Sequence, residues 1–526
     1  MYGTSTAAVP QAQHKVMTFN LMPIAQHRTF SALRVLFFLF SFSVVFSMTL
    51  PIPVGAAAQA SSAAPIKTGA TPATVNHICA ACIRGHMEFL ASDALQGRGS
   101  STHDELLAAT YSASELRAYG IEPAGDDGGY IQKATLVKRT VSAPPELSFV
   151  AGGSTNEAAT VWTHGKEMEV LNLSQTEFSG PLQKINLDGG AVDGSNPKVQ
   201  PGAVVFLTGN DDKKVRDARS GILSQGAIAV LVAPSAARKK SWQEEGKKLP
   251  QMPTLLERSI TGMTDSFNLL AVDDEAQEVL RKLPDGTVFH FKAHTGEAEK
   301  SYTWNAVGIL RGHDPSQRAN AILISAHLDH LGIGAPVNGD NIYNGADDDA
   351  SGTVAVLELA RVLGQGPKPR RTVIFALFGS EELGGLGSTY FREHPALPLT
   401  DIAVNLEFEM IGRADSSVPH DTLWLTGWER SNLGPELAAH GAKLVADPHP
   451  EMSFFRRSDN YVLAKKGVVA QTVSSYGLHK DYHQPSDDLS HIDFQHMNAA
   501  IASLIGPMEW LVNADFRPQW NPGGKP

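Results

Sequence analysis

Carboxylate and imidazole side chains recur along Ala326–Asp487 at points where apolar runs stop. They read His327-x-Asp329, then Gly345-Ala346-Asp347-Asp348, then Glu381-Glu382, then Glu409, then His483. Oxygen and nitrogen donors of these types hold hydrolytic metal ions such as zinc. Strand ends are where an α/β fold gathers its functional groups. The string therefore reads as the site of a metallohydrolase.

Each motif also has a plainer reading. His327 and Asp329 follow the buried run Ala321–Ala326, and strand alternation puts them on one side. A carboxylate beside a ligating imidazole fixes its tautomer, but a hydrogen-bonded histidine at a strand end would look the same. Asp347, Asp348 and Asp349 open a helical pattern, where one acid would serve as a cap. Three acids bracketed by glycines repel one another, and a cation would relieve the repulsion. Glu381 and Glu382 follow the strand-like run Arg371–Phe378. Adjacent glutamates point in different directions, so one can bind metal while the other stays free as a general base. Glu407 and Glu409 lie in an apolar strand, and a buried carboxylate calls for a cation or a hydrogen-bond donor. The loop His479–Asp487 offers His483, with His479 as its competitor.

The elements that must position these groups alternate. Strands are expected at Ala321–Ala326, Arg371–Phe378, Ile402–Met410, Thr422–Thr426 and Gly467–Val473. Helices are expected at Asp349–Gly364, Leu386–Glu393, Asn432–Val445 and Phe494–Val512. Such alternation predicts a three-layer α/β/α fold on a mostly parallel mixed sheet. Ile78–Gly120 has helical periodicity. Thr135–Thr303 differs in texture: short β-like runs such as Ala203–Leu207 and Ala227–Val232 make it a smaller β-rich unit. The expected division is 77–134 and 304–514 for the main domain, 135–303 for the insert, and a Pro/Gly tail at 515–526.

The chain has 526 residues, 42% hydrophobic and 19% charged, with net charge −11. That balance supports packed cores and excludes a basic nucleic-acid-binding surface. Arg28 and Arg34 precede an apolar stretch, and Ala58-Gln59-Ala60 fits a cleavage site. Residues 1–60 therefore read as an export signal, and 61–76 as a flexible leader. Retained uncleaved, the same segment would be a membrane anchor. Cys79 and Cys82 are too few for a structural zinc site and suit a local disulfide in an exported protein.

Taken in order, these five motifs resemble the M28 family of co-catalytic zinc aminopeptidases over Trp304–Val512. The segments His86–Asp93 and Gln96-Gly97-Arg98-Gly99 are similar to those of bacterial members, and 135–303 resembles a protease-associated domain. The resemblance implies two zinc ions per chain, with Asp347 bridging them. Glu382 and His483 would complete one metal, and His327 and Glu409 the other. Asp329 would orient His327, Glu381 would be the general base, and Asp348 would shape the turn beneath. A hydroxide bridging the zinc ions would attack the peptide bond of substrates with a free N-terminus. Two positions depart from the family pattern: Glu409 stands where many members carry Asp, and Asn460 follows Ser458-Asp459 where His is usual. A single-zinc glutaminyl cyclase, a dipeptidase or carboxypeptidase, and a non-catalytic receptor-like relative are the competing readings. The complete ligand set argues against the first and the last.

Overall fold

The computed structural model describes residues 77–151, 158–188, 198–257 and 267–526. The expected export signal and leader lie outside these residues. Two large sheets organise the remainder, and both are mixed.

The first sheet has ten strands. Its centre is parallel: Val469–Ser474, Ile402–Phe408, Ala321–His327 and Val373–Phe378 lie side by side in that order. Continuous apolar runs suit this place, because helices cover both faces of a parallel sheet. Alternate residues divide between the faces. Ile322, Ile324, Phe375 and Leu377 join one core with the helices Ala80–Leu90, His103–Ala118, Gly352–Gln365 and Phe494–Asn513. Leu323, Ile374, Ala376 and Phe378 join another with Phe391, Leu463 and Ala464. This is the three-layer α/β arrangement expected from strand–helix alternation.

Antiparallel strands flank that centre. Thr295–Leu310 pairs with Val373–Phe378 on one side and with Ile131–Val141 on the other. Leu423–Leu425 pairs antiparallel with Val469–Ser474 and carries the short strand Leu444–Ala446 beyond it. The helix expected to run to Val445 stops at Ala439. Gly441, at φ 104°, turns the chain, and Leu444–Ala446 becomes a strand instead. The helix expected from Asp349 begins at Gly352, because Ala346–Ser351 forms a wider turn.

The second sheet has eight strands, drawn from residues 146–292. Its core contains Phe149, Trp162, Phe206, Phe289 and Phe291. Residues 135–141 and 295–303, at the margins of the expected insert, run as paired strands of the first sheet. Cys79 and Cys82 are joined by a disulfide at the start of the helix Ala80–Leu90. No helix among the described residues is long and apolar enough to cross a membrane.

Phe375 is completely buried at the centre of the first sheet. Phe375→Ala should cost about 3–5 kcal/mol through lost burial and a residual cavity. The expected readout is a lower urea midpoint with an unchanged slope; an unaltered midpoint would contradict the packing described.

Candidate metal centre

The parallel strands deliver their last residues to one edge of the sheet. His327 ends its strand. Glu381 and Glu382 follow Phe378 after Ser380, whose φ is 51°. Glu409 stands one residue past Phe408. His483 lies in the loop beyond Ser474, at φ 56°. Asp348 comes from the turn Ala346–Ser351.

Asp348 stands at the middle of the group. Its Oδ1 is 3.2 Å from His327 Nε2, and its Oδ2 is 3.3 Å from His483 Nε2. His483 Nε2 is also 3.2 Å from Glu382 Oε2. Potential ligand atoms of His327, Asp348 and Glu409 lie within 4.8 Å of one another, and so do those of His330, Asp348 and Glu382. His330 Nδ1 approaches Glu382 Oε1 at 2.8 Å. His327 Nε2, both ring nitrogens of His330, and Glu382 Oε1 are nevertheless buried without an aligned hydrogen-bond partner. Buried polar atoms are rarely left so. Imidazole and carboxylate donors converging in this manner fit a divalent metal such as zinc.

The electrostatics separate the carboxylates. Burial opposes ionisation of Asp348, but His327, His330 and His483 overcome it and hold its pKa well below the usual value. Burial likewise opposes the charge on His483, yet Asp348 and Glu382 raise its pKa to about 10. Glu409 is pushed up to about 7 by burial. Glu381 is raised well above the usual carboxylate value, again chiefly by burial.

The bridging position assigned from sequence to Asp347 needs correction. Asp347 turns away from the imidazoles: its carboxylate accepts from Gly412 N at 2.7 Å and lies 3.0 Å from His479 Nε2. Asp348, expected to shape the turn, is the residue between His327 and His483. Asp349 does the shaping, accepting from Gly352 N at 3.0 Å and Met410 N at 2.9 Å. Three consecutive acids in a turn point three ways, and neither strand nor helix periodicity ranks them.

Asp329 is adjacent to His327 but works mainly on the neighbouring loop. Its carboxylate accepts from Glu381 N at 3.0 Å and from Ser100 Oγ. Its Oδ1 is 3.7 Å from His327 Nδ1, which lies nearer, at 3.2 Å, to the Asp329 backbone carbonyl. Glu407 is buried and accepts from Ser458 Oγ and Thr472 Oγ1, whereas Glu409 lines the cavity. Asn460, first residue of the helix Asn460–Ala464, donates to Phe455 O at 3.2 Å and to Ala470 O at 3.3 Å, which ties that helix to the strand Val469–Ser474.

Sequence reading passed over two members of this centre. His330 immediately follows Asp329, so the run His327-x-Asp329-His330 carried the signal. Arg98 is completely buried and donates to Leu90 O, Leu328 O, Asn344 O and Gly345 O. The similarity of Gln96-Gly97-Arg98-Gly99 to bacterial members assigns it no role.

The cavity beside the centre is lined by Glu381, Glu382, Glu409 and His483, and by Met410, Trp424, Phe454, Tyr476 and Tyr482. Among the described residues that line it, Arg457 is the only lysine or arginine.

Residues 305–505 match the model of peptidase family M28. These residues are an M28 peptidase domain. The chain is 23% identical over 312 residues to aminopeptidase YwaD of Bacillus subtilis, covering 56% of this chain and 59% of that protein. It is 29% identical over 222 residues to the probable lipoprotein aminopeptidase LpqL of Mycobacterium tuberculosis, covering 36% and 42% respectively. The chain thus spans about half the length of these curated relatives. An aminopeptidase from Aneurinibacillus sp. strain AM-1 is 19% identical, with 84% of this chain and 95% of that one covered at a TM-score of 0.48.

The reassignment within the M28 domain is testable by zinc titration. Asp348→Asn should weaken binding more than Asp347→Asn. The loss for Asp347→Asn should stay within the roughly 10–100-fold typical of a supporting residue. The reverse ranking would restore Asp347 to the centre.

Proposed function

We propose that this protein is a zinc-dependent aminopeptidase. The observation that carries the reading is Asp348, whose two carboxylate oxygens face different imidazoles, His327 on one side and His483 on the other. His327, Asp348 and Glu409 would hold one zinc ion; His483, Asp348 and Glu382 would hold a second, with His330 against Glu382. Bound zinc would polarise the scissile carbonyl and make water a competent nucleophile near neutral pH.

The chain's own residues then have separable tasks. Glu381 lines the cavity, and burial raises its affinity for a proton. It accepts a proton from the attacking water and returns it to the leaving amine. Asp329 fixes the Glu381 backbone through the amide contact described above. Trp424, Phe454, Tyr476 and Tyr482 offer aromatic surface to a substrate side chain. The preference for a free N-terminus rests on the M28 match of residues 305–505 and on the aminopeptidase relatives.

The remaining assignments complete the proposal. Residues 146–292, which build the second sheet, are a protease-associated-type insert, and residues 1–60 direct export. The Cys79–Cys82 disulfide suits an oxidising compartment. N-terminal sequencing of the exported protein should find a start near residue 61, and an intact Met1 would overturn the cleavage assignment.

Aminoacyl nitroanilides assayed with and without a chelator test the activity itself. Chelator-sensitive release is expected, and chelator-insensitive release would contradict the metal requirement. Glu381→Ala should retain zinc but lose about 10²–10⁴-fold in kcat. Undiminished turnover would remove Glu381 from proton transfer.

A further inference from the structure

A second histidine–carboxylate cluster lies outside the centre described above. His420 and Asp421 stand just before the strand Leu423–Leu425, and His496 lies in the first turn of the helix Phe494–Asn513. Potential ligand atoms of the three residues lie within 4.8 Å of one another. The two imidazole rings meet edge to face at 5.6 Å.

The cluster contains unexplained polar atoms. His496 is completely buried. Its Nε2 is 3.1 Å from Ser475 Oγ, while its Nδ1 has no hydrogen-bond partner. Asp421 Oδ1 is buried and also lacks one, although His420 Nδ1 is only 2.7 Å away. An ordinary His–Asp hydrogen bond would satisfy Asp421 but would leave His496 Nδ1 unaccounted for. Asp493 adds a second carboxylate: its Oδ1 caps His496 N at 3.0 Å, and its Oδ2 lies 3.3 Å from His420 Nε2. Lys443 Nζ approaches the other oxygen of Asp421, Oδ2, at 3.9 Å, which leaves Oδ1 to the histidines.

We infer that His420, Asp421 and His496 form a binding site for a further divalent metal ion, separate from the centre at Asp348. Two imidazoles and a carboxylate select zinc, nickel or copper over calcium and magnesium, which prefer all-oxygen shells. His420 is exposed, so a metal can enter from solvent. The bound ion ties the start of the helix Phe494–Asn513 to the segment before Leu423. Ser475, which contacts His496, donates to Arg413 O, and Arg413 pairs with Asp481 and Asp487. The site therefore supports, from outside, the loop that carries His483. Its task is structural, and it does not depend on the peptidase reading.

Zinc per chain, measured on the full protein after equilibration with buffered zinc, decides the matter. Wild type should bind one ion more than His420→Ala and one more than Asp421→Asn, whatever the absolute count. The thermal midpoint of wild type in zinc should exceed that of either variant. Equal zinc content in wild type and His420→Ala would overturn the site. A second measurement guards against a folding artefact. His420→Cys loaded with cobalt should show a thiolate-to-metal charge-transfer band that the wild type lacks, and absence of that band would also overturn it.

Discussion

Buried negative charge is the constraint around which the M28 domain is arranged. Asp329, Asp347, Asp348, Asp349, Glu407, Asp459 and Asp487 are all buried near one edge of a hydrophobic sheet. An isolated buried carboxylate costs several kcal/mol unless it is paired, hydrogen-bonded or protonated. The structure uses all three remedies and distributes them unevenly. Asp347, Asp349 and Asp487 accept backbone N–H groups, and Asp487 is also paired with Arg413. Glu407 is held between two hydroxyls, and burial raises its pKa well above the usual value, which favours the neutral acid. Asp348 and Glu382 differ from these: histidines pull both toward the charged form. These two also face candidate ligand nitrogens, of His327 and His483 for Asp348 and of His330 and His483 for Glu382.

The turns supporting the centre follow from the same demand. Ser380, Met410 and His483 have φ between 51° and 56°, a region that non-glycine residues visit at a cost. Each is itself a functional residue or the neighbour of one. The cost is offset locally. Asp349 receives Met410 N, Asp329 receives Glu381 N, and Ser380 Oγ donates to buried Glu105. Glu105 also accepts from Thr303 Oγ1 and Trp304 N, and burial lifts its pKa to about 7. The helix His103–Ala118, remote in sequence, thus fixes the turn that presents Glu381 and Glu382.

Strand ends were legible in the sequence because each apolar run stops at a polar residue with chemical potential. That pattern puts His327, Glu382 and Glu409 at or just beyond strand ends. It could not decide between Asp347 and Asp348, because turn geometry carries no periodicity. It favoured His483 over His479, and the structure puts His479 on Asp347 instead. It also missed His330 and Arg98, whose roles depend on contacts that span the sequence. Arg98 reaches carbonyls at Asn344 and Gly345, and its isolated motif reads simply as a turn. The breakdown of Asn432–Val445 into helix and strand had a visible cause in Gly441, which the apolar pattern masked.

The cavity's lining is uneven in charge. Glu381, Glu382 and Glu409 form a wall close to the imidazoles, whereas Arg457 is exposed and lies over Phe454, 5.1 Å from the ring centre. Arg457 can receive an anion only at the opening, where water weakens the interaction. The glutamates are committed to the metal centre proposed above, so Arg457 and the aromatic residues are what the lining leaves to meet a bound ligand.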